Sequence, residues 1–150
     1  MQRRATPSDD LGYAARMRPQ IVVHNLAQAK AALAAAAELG IEVQLRSAPD
    51  AAGYAGVGYL KALGEALGHE LMIDCGDDAG LVMAALRIGC RKLAFSGGAE
   101  LSQRLGDMAA ELHAEFRHEM VSPDVLGLGP DDDARARCLA WLTAAERQDQ

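Results

Sequence analysis

The sequence predicts an α/β domain with a parallel sheet of four to five βα units. After Pro19, short apolar runs rich in β-branched residues alternate with alanine- and leucine-rich stretches of helical spacing. Strands that alternate with helices of this length pair in parallel through right-handed crossovers. The chain has 150 residues, 50% of them hydrophobic and 24% charged, enough for one domain with its own core and too few for two comfortable ones. Residues 1–19, polar and broken by proline, are expected to form a flexible N-terminal arm, and residues 20–150 the single domain.

The first strand is read in QIVVHN (20–25) and the first helix in LAQAKAALAAAAELG (26–40), with Asn25 as its cap and Gly40 as its stop. EVQLRS (42–47) is the second strand, and the helix after it places Val57, Leu60, Leu63 and Leu67 on one face. ELMIDC (70–75) is the third strand, followed by a helix capped by Asp77 or Asp78 and ended at Gly89; KLAFSG (92–97) is the fourth. Leu101, Leu105, Met108, Leu112 and Phe116 make one apolar stripe, so the fourth helix is expected to reach Phe116. EMVS (119–122) reads as a short fifth strand and VLGLGPDDD (125–133) as a turn capped by Asp131, Asp132 or Asp133. ARARCLAWLTAAER (134–147) reads as a last helix packed through Cys138, Trp141 and Leu142.

Alternate strand positions divide the sheet into two unlike faces. Ile21, Val23, Val43, Leu45, Leu71, Ile73, Leu93 and Phe95 form an apolar face that receives the helices. The opposite set is Val22, His24, Glu42, Gln44, Arg46, Met72, Asp74, Lys92, Ala94 and Ser96, polar or small in every strand. A doubly wound sheet is apolar on both faces, whereas the inside of a βα barrel carries functional groups near the strand C-terminal ends. The expected architecture is therefore half-TIM-barrel-like, with an open inner face that a second copy, the arm, the last helix or a ligand would cover, and a homo-oligomer follows. The alternative is a flavodoxin-like open sheet in which Glu42, Gln44 and Arg46 lie on the solvated face of an edge strand.

A net charge of -6 and a pI near 5.1 oppose binding to a phosphate backbone, and no basic stripe is present, so nucleic acid is not expected as a partner. No window is long enough to span a bilayer, and the N-terminus has no apolar run of signal-peptide length, so no membrane partner is expected. Cys75, Cys90 and Cys138 are odd in number and lack C-x-x-C spacing, which suits buried thiols in a cytoplasmic protein with no disulfide or zinc. His113 and His118, five apart on the expected helix, are a poor metal pair. Neither a metal nor a cofactor is expected.

The stretch AAGYAGVGYLKALGE (51–65) has glycines at 53, 56 and 58, but their order reverses the dinucleotide fingerprint, and Tyr59-Leu60 stands where a phosphate loop needs Lys-Ser/Thr. It reads as a candidate lid in which Gly56 and Gly58 allow close approach and Tyr54 and Tyr59 cover a site, or as a plain connection into the second helix. Arg46 at a strand end and the turn Ser96-Gly97-Gly98 before the fourth helix are candidate anion ligands. His24 and Asp74 would be an acid/base pair if strands one and three were adjacent, or else hydrogen-bonded structural groups. Cys75 reads as an inert strand-end thiol.

The run PQIVVHNLAQAKAALAAAAELGIEVQLRS resembles the opening two βα units of the KDPG aldolase family, class I lyases on a TIM barrel, in which an E-V-x-L-R-[ST] strand follows a helix ending in glycine. Glu42 to Ser47 match that strand, and LVMAALRIGCRKLAFSGG is similar to a later helix, turn and strand end. The resemblance implies Glu42 as general acid/base and Arg46 as a holder of the anionic substrate. The family's Schiff-base lysine lies on a later strand without a counterpart here, Lys92 sits too near its strand's start to take that role, and Asp74-Cys75-Gly76-Asp77 replaces the family's G-A-G-T loop. Three functions are compatible with these residues: a domain that binds a small anionic metabolite with or without catalysis, a small lyase or isomerase, and a protein-protein interaction module without a ligand.

Overall fold

The computed structural model describes residues 18–148; of the arm expected over 1–19, only Arg18 and Pro19 lie among them. In chain order the elements are β1 (Gln20–Val23), α1 (Leu26–Leu39), β2 (Gln44–Ser47), α2 (Ala51–Tyr54), α3 (Val57–Leu67), β3 (Ile73–Asp74), α4 (Ala79–Arg87), β4 (Lys92–Phe95), α5 (Ala99–Glu111), β5 (Glu115–His118), β6 (Val125–Gly127) and α6 (Ala134–Gln148). The fold is mixed α/β. The expected caps form: Asn25 Oδ1 accepts the Gln28 N–H at 2.8 Å, and Gly40 stops α1 at φ 68°. Asp78 accepts the Gly80 and Leu81 N–H groups at the start of α4, and Asp133 accepts from Ala136 in α6.

All strand pairs are parallel. One three-stranded sheet has the order β2-β1-β6 and the other β3-β4-β5; they meet through a single bridge, Arg46 to Met72. The bridge is made by Ser47 N–H to Met72 O at 3.0 Å and Met72 N–H to Leu45 O at 2.9 Å, and side chains add to it, among them Asp74 N–H to Ser47 Oγ at 2.9 Å and Gln44 Nε2 to Glu70 O at 2.9 Å. Because β3 meets β2, the flavodoxin-like order, which puts β1 next to β3, is not formed.

The apolar face is buried as expected, in two clusters. Ile21, Val23, Leu45 and Leu126 pack against Ala29, Ala32 and Ala35 of α1 and Cys138 and Leu142 of α6. Ile73, Leu93 and Phe95 pack against Val82 and Ala85 of α4 and Leu105 and Ala109 of α5. Each fully buried Leu, Ile or Phe contributes about 1.5–3 kcal/mol relative to exposure, so these clusters dominate stability. The alanines of α1 let α6 approach closely.

Four stretches differ from expectation. α5 stops at Glu111, because His113 takes the left-handed conformation at φ 58° and the Ala114 N–H turns back to Ala109 O at 2.8 Å. Phe116 therefore belongs to β5, its ring 6.2 Å from that of Phe95. The fifth strand is Glu115–His118, ahead of the expected EMVS, whose Met120 and Val121 are 75% and 81% exposed. Val125–Gly127, expected as a turn, is β6 paired with β1. The segment read as a lid is largely helical: α2 and α3 are joined at Ala55 and Gly56, and Gly56 takes φ 90°. No helix among the described residues is long and apolar enough to cross a membrane.

Candidate functional site

The second face carries a buried polar cluster centred on Arg46. Its register is fixed by pairing: Gln20 lies opposite Gln44, Val22 opposite Arg46, and Arg46 is bridged to Met72, which shares a face with Asp74. Arg46 is 2% exposed. Its Nη1 donates to Gln20 Oε1 and to Glu119 Oε2, both at 2.9 Å, and its Nη2 donates to Glu119 Oε1 at 2.9 Å and Asp74 Oδ2 at 3.0 Å. Burial alone would lower the Arg46 pKa; the hydrogen bonds and charges of Glu119 and Asp74 more than offset it and leave it above its ordinary value. Asp74 is held further by the Gly76 N–H on Oδ1 at 2.9 Å.

Glu119 follows β5, three strand spacings from β2 along the sheet, about 14 Å in a flat sheet. The two side chains reach across that width to make a bidentate contact at 2.9 Å. Val22, Met72 and Ala94, buried on that face, belong to neither hydrophobic cluster, and Lys92 Nζ donates to Gln44 Oε1 at 2.8 Å in the layer below. The second face thus carries at its centre charged groups that bind one another.

The turn Ser96-Gly97-Gly98 lies at the same end of the strands. Ser96 N–H bonds to Gly76 O at 2.8 Å, and His118 Nε2 lies 2.6 Å from Gly97 O while its ring stacks on Phe95. Gly97 is obligatory here: a Cβ would stand 2.3 Å from Phe95 Cζ, inside a buried ring. Gly98 meets no such wall, and its carbonyl accepts the Ser102 N–H at 2.9 Å as α5 begins. The first-turn N–H groups of α5 open beside the turn.

The other predicted residues do not join this site. His24 and Asp74 are separated by β2; the His24 backbone N–H and Nδ1 both meet Gln28 Oε1, so the acid/base pair is not formed. Glu42 precedes β2 at the opposite end of the strands, with its side chain 85% exposed and 3.2 Å from Arg18. About 13 Å of strand separates it from Arg46, so the two cannot act on one small molecule. Tyr54 and Tyr59 are exposed, Gly56 makes the α2–α3 joint, and Gly58 lies within α3 with open space around it. Sequence reasoning missed Gln20 and Glu119. Gln20 has the parity of Val22 and was legible; Glu119 was hidden by the misplaced fifth strand.

Hollows lie away from the cluster, one of them, of about 450 Å³, against α6 between Leu126, Arg137 and Trp141, and two others at the strand N-terminal ends. Of those two, one of about 350 Å³ is lined by Leu60, Gly64, His69, Leu71, Cys90 and Arg91, and the other of about 330 Å³ by Arg18, Leu33, Ile41, Glu42, Val43 and His69. Cys75, Cys90 and Cys138 are buried and unpaired, and burial, ahead of the charge of Asp74, pushes the Cys75 thiol up to about 12, which removes it as a nucleophile. Among the described residues no group of three or more His, Cys, Asp or Glu is placed to hold a metal. Comparison with known proteins gives no match: no family model, no curated protein and no solved structure.

Proposed function

We propose that the chain is a cytoplasmic, half-barrel-like βα domain that binds a small anionic metabolite at the strand C-terminal ends, between Arg46 and the Ser96-Gly97-Gly98 turn, without catalysing its conversion. The observation that carries this reading is Arg46 itself, 2% exposed on the face that neither hydrophobic cluster occupies. A buried ion cluster contributes little stability that apolar side chains would not match, so stability alone does not account for it. Backbone N–H groups at the turn add donors of the kind that suit an anion beside a helix start. The lyase reading has less support, since Glu42 faces solvent at the other end of the strands and no second acid/base group stands near Arg46 except the carboxylates bound to it.

A thermal-shift titration of the full chain against phosphorylated sugars, keto acids and inorganic phosphate tests this. Saturable stabilisation by at least one anion is expected, reaching about 2.7 kcal/mol at a hundredfold excess over Kd. A flat response across the panel would sink the reading and leave the interaction module, for which Tyr54, Met120 and Val121 supply exposed apolar surface.

A further inference from the structure

The acceptors around Arg46 are of two kinds. Gln20 belongs to β1 and Asp74 to β3, and both are fixed by strand pairing. Glu119, whose N–H still bonds to Phe95 O at 2.8 Å, stands at the start of a segment, Glu119–Asp124, that is neither helix nor strand, and the two residues after it are among the most exposed apolar side chains described. Such segments open at low free-energy cost. Charge distinguishes the two kinds as well: Asp74 alone neutralises Arg46, so Glu119 is a second, surplus carboxylate on one cation. It takes both terminal nitrogens of the guanidinium side by side, the geometry in which arginine binds a free carboxylate. Its side chain is 15% exposed and that of Asp74 18%, so solvent reaches both and it is the segment after Glu119 that sets it apart.

We infer that Glu119 is a built-in occupant of the binding site: it keeps a carboxylate on Arg46 when the site is empty, and a small carboxylate ligand enters by exchanging with it. The inference rests on the anion-binding reading above and adds a ligand class and a control element to it. The exchange replaces one carboxylate with another, so the buried charge balance of the cluster is unchanged while Gln20 and Asp74 stay in place. The released Glu119 turns to solvent with the segment that follows it. Ligand binding is thereby coupled to the position of Met120 and Val121.

NMR titration of the full chain with sodium acetate tests this on the wild type, Glu119→Ala and Glu119→Gln. Truncation to alanine deletes the atoms of one acetate, which makes acetate the fitting probe. Acetate is expected to bind Glu119→Ala at least about tenfold more tightly than the wild type, with Glu119→Gln between them, because an occupied site reduces apparent affinity by the fraction blocked. Equal affinity in the three proteins overturns the inference. Inorganic phosphate separates it from the reading beneath: phosphate binding all three alike, with acetate showing no preference for Glu119→Ala, leaves the anion site standing and removes Glu119 from it. Binding of neither anion to any of the three ends the inference, and a flat response across the full panel above then ends the reading beneath it as well. Should neither variant fold, hydrogen exchange of the wild type decides. Saturating acetate must speed exchange at the Glu119 amide, which bonds to Phe95 O at 2.8 Å, and an unchanged rate overturns the inference.

Discussion

His69 accepts the Leu45 backbone N–H at Nε2, 3.2 Å away, so that nitrogen carries no proton in the folded protein. It occupies the part of β2 where β3 has not yet begun, and in doing so satisfies a strand amide that would otherwise lack a partner. Burial lowers its pKa, and the charges of Lys92 and Arg18 lower it further. A histidine whose folded pKa lies below its unfolded value of about 6.5 adds stability that is present above that pH and is lost as pH falls through the folded pKa. The wild type is therefore expected to weaken from about pH 6.5 downward. His69→Gln should flatten this acid limb while costing about 1 kcal/mol at neutral pH through the weakened hydrogen bond. Urea unfolding at a series of pH values checks both effects; an acid limb of the same slope in the variant would show that other groups produce it.

At the level of elements, the end of α5 decides how the last third of the chain is arranged. His113 holds a left-handed φ of 58° with its side chain exposed, a conformation that carries a Cβ penalty. His113→Gly should relieve it and raise stability by about 0.5–1 kcal/mol after the extra chain entropy of glycine is counted. Thermal unfolding measures the change, and a lowered Tm would mean that the imidazole makes a contact worth more than the strain. The same residue explains what could be read in advance. β1 to β4 were legible because short apolar runs with alternating faces mark them, and α1 because Asn25 and Gly40 bracket it. No glycine marks the end of α5, and the apolar stripe runs on through Leu112 to Phe116, so helical spacing masked β5. β6 was masked in turn by the glycines and proline around it. Of the cluster, Arg46 and Asp74 were visible as polar residues at strand ends, but the second carboxylate on Arg46 is Glu119, whose place follows only once β5 is correctly set.

For the molecule as a whole, Arg46 joins parts that the backbone holds together only weakly. Between β2 and β3 lie one bridge and a handful of hydrogen bonds, whereas the guanidinium contacts β1, β3 and the end of β5 at once. The two hydrophobic clusters fall on either side of this join, one around β1, β2 and β6, the other around β3 and β4. Arg46→Met would leave Asp74 and Glu119 facing each other without a cation, at a cost of about 3–5 kcal/mol. That is a large share of a typical domain's 5–15 kcal/mol, by the usual order of magnitude. Its specific consequence is loss of coupling between the halves. Trp141, the single tryptophan, packs on the β1 cluster, so its fluorescence reports one half while far-UV circular dichroism reports both. In the wild type the two probes should give one coincident unfolding transition. In Arg46→Met their midpoints should separate, and Arg46→Met combined with Glu119→Gln should bring them partly back together by removing the unpaired charge. Coincident midpoints in Arg46→Met would mean that packing across the β2–β3 join couples the halves without the arginine, and its burial would then have to be explained by ligand binding alone.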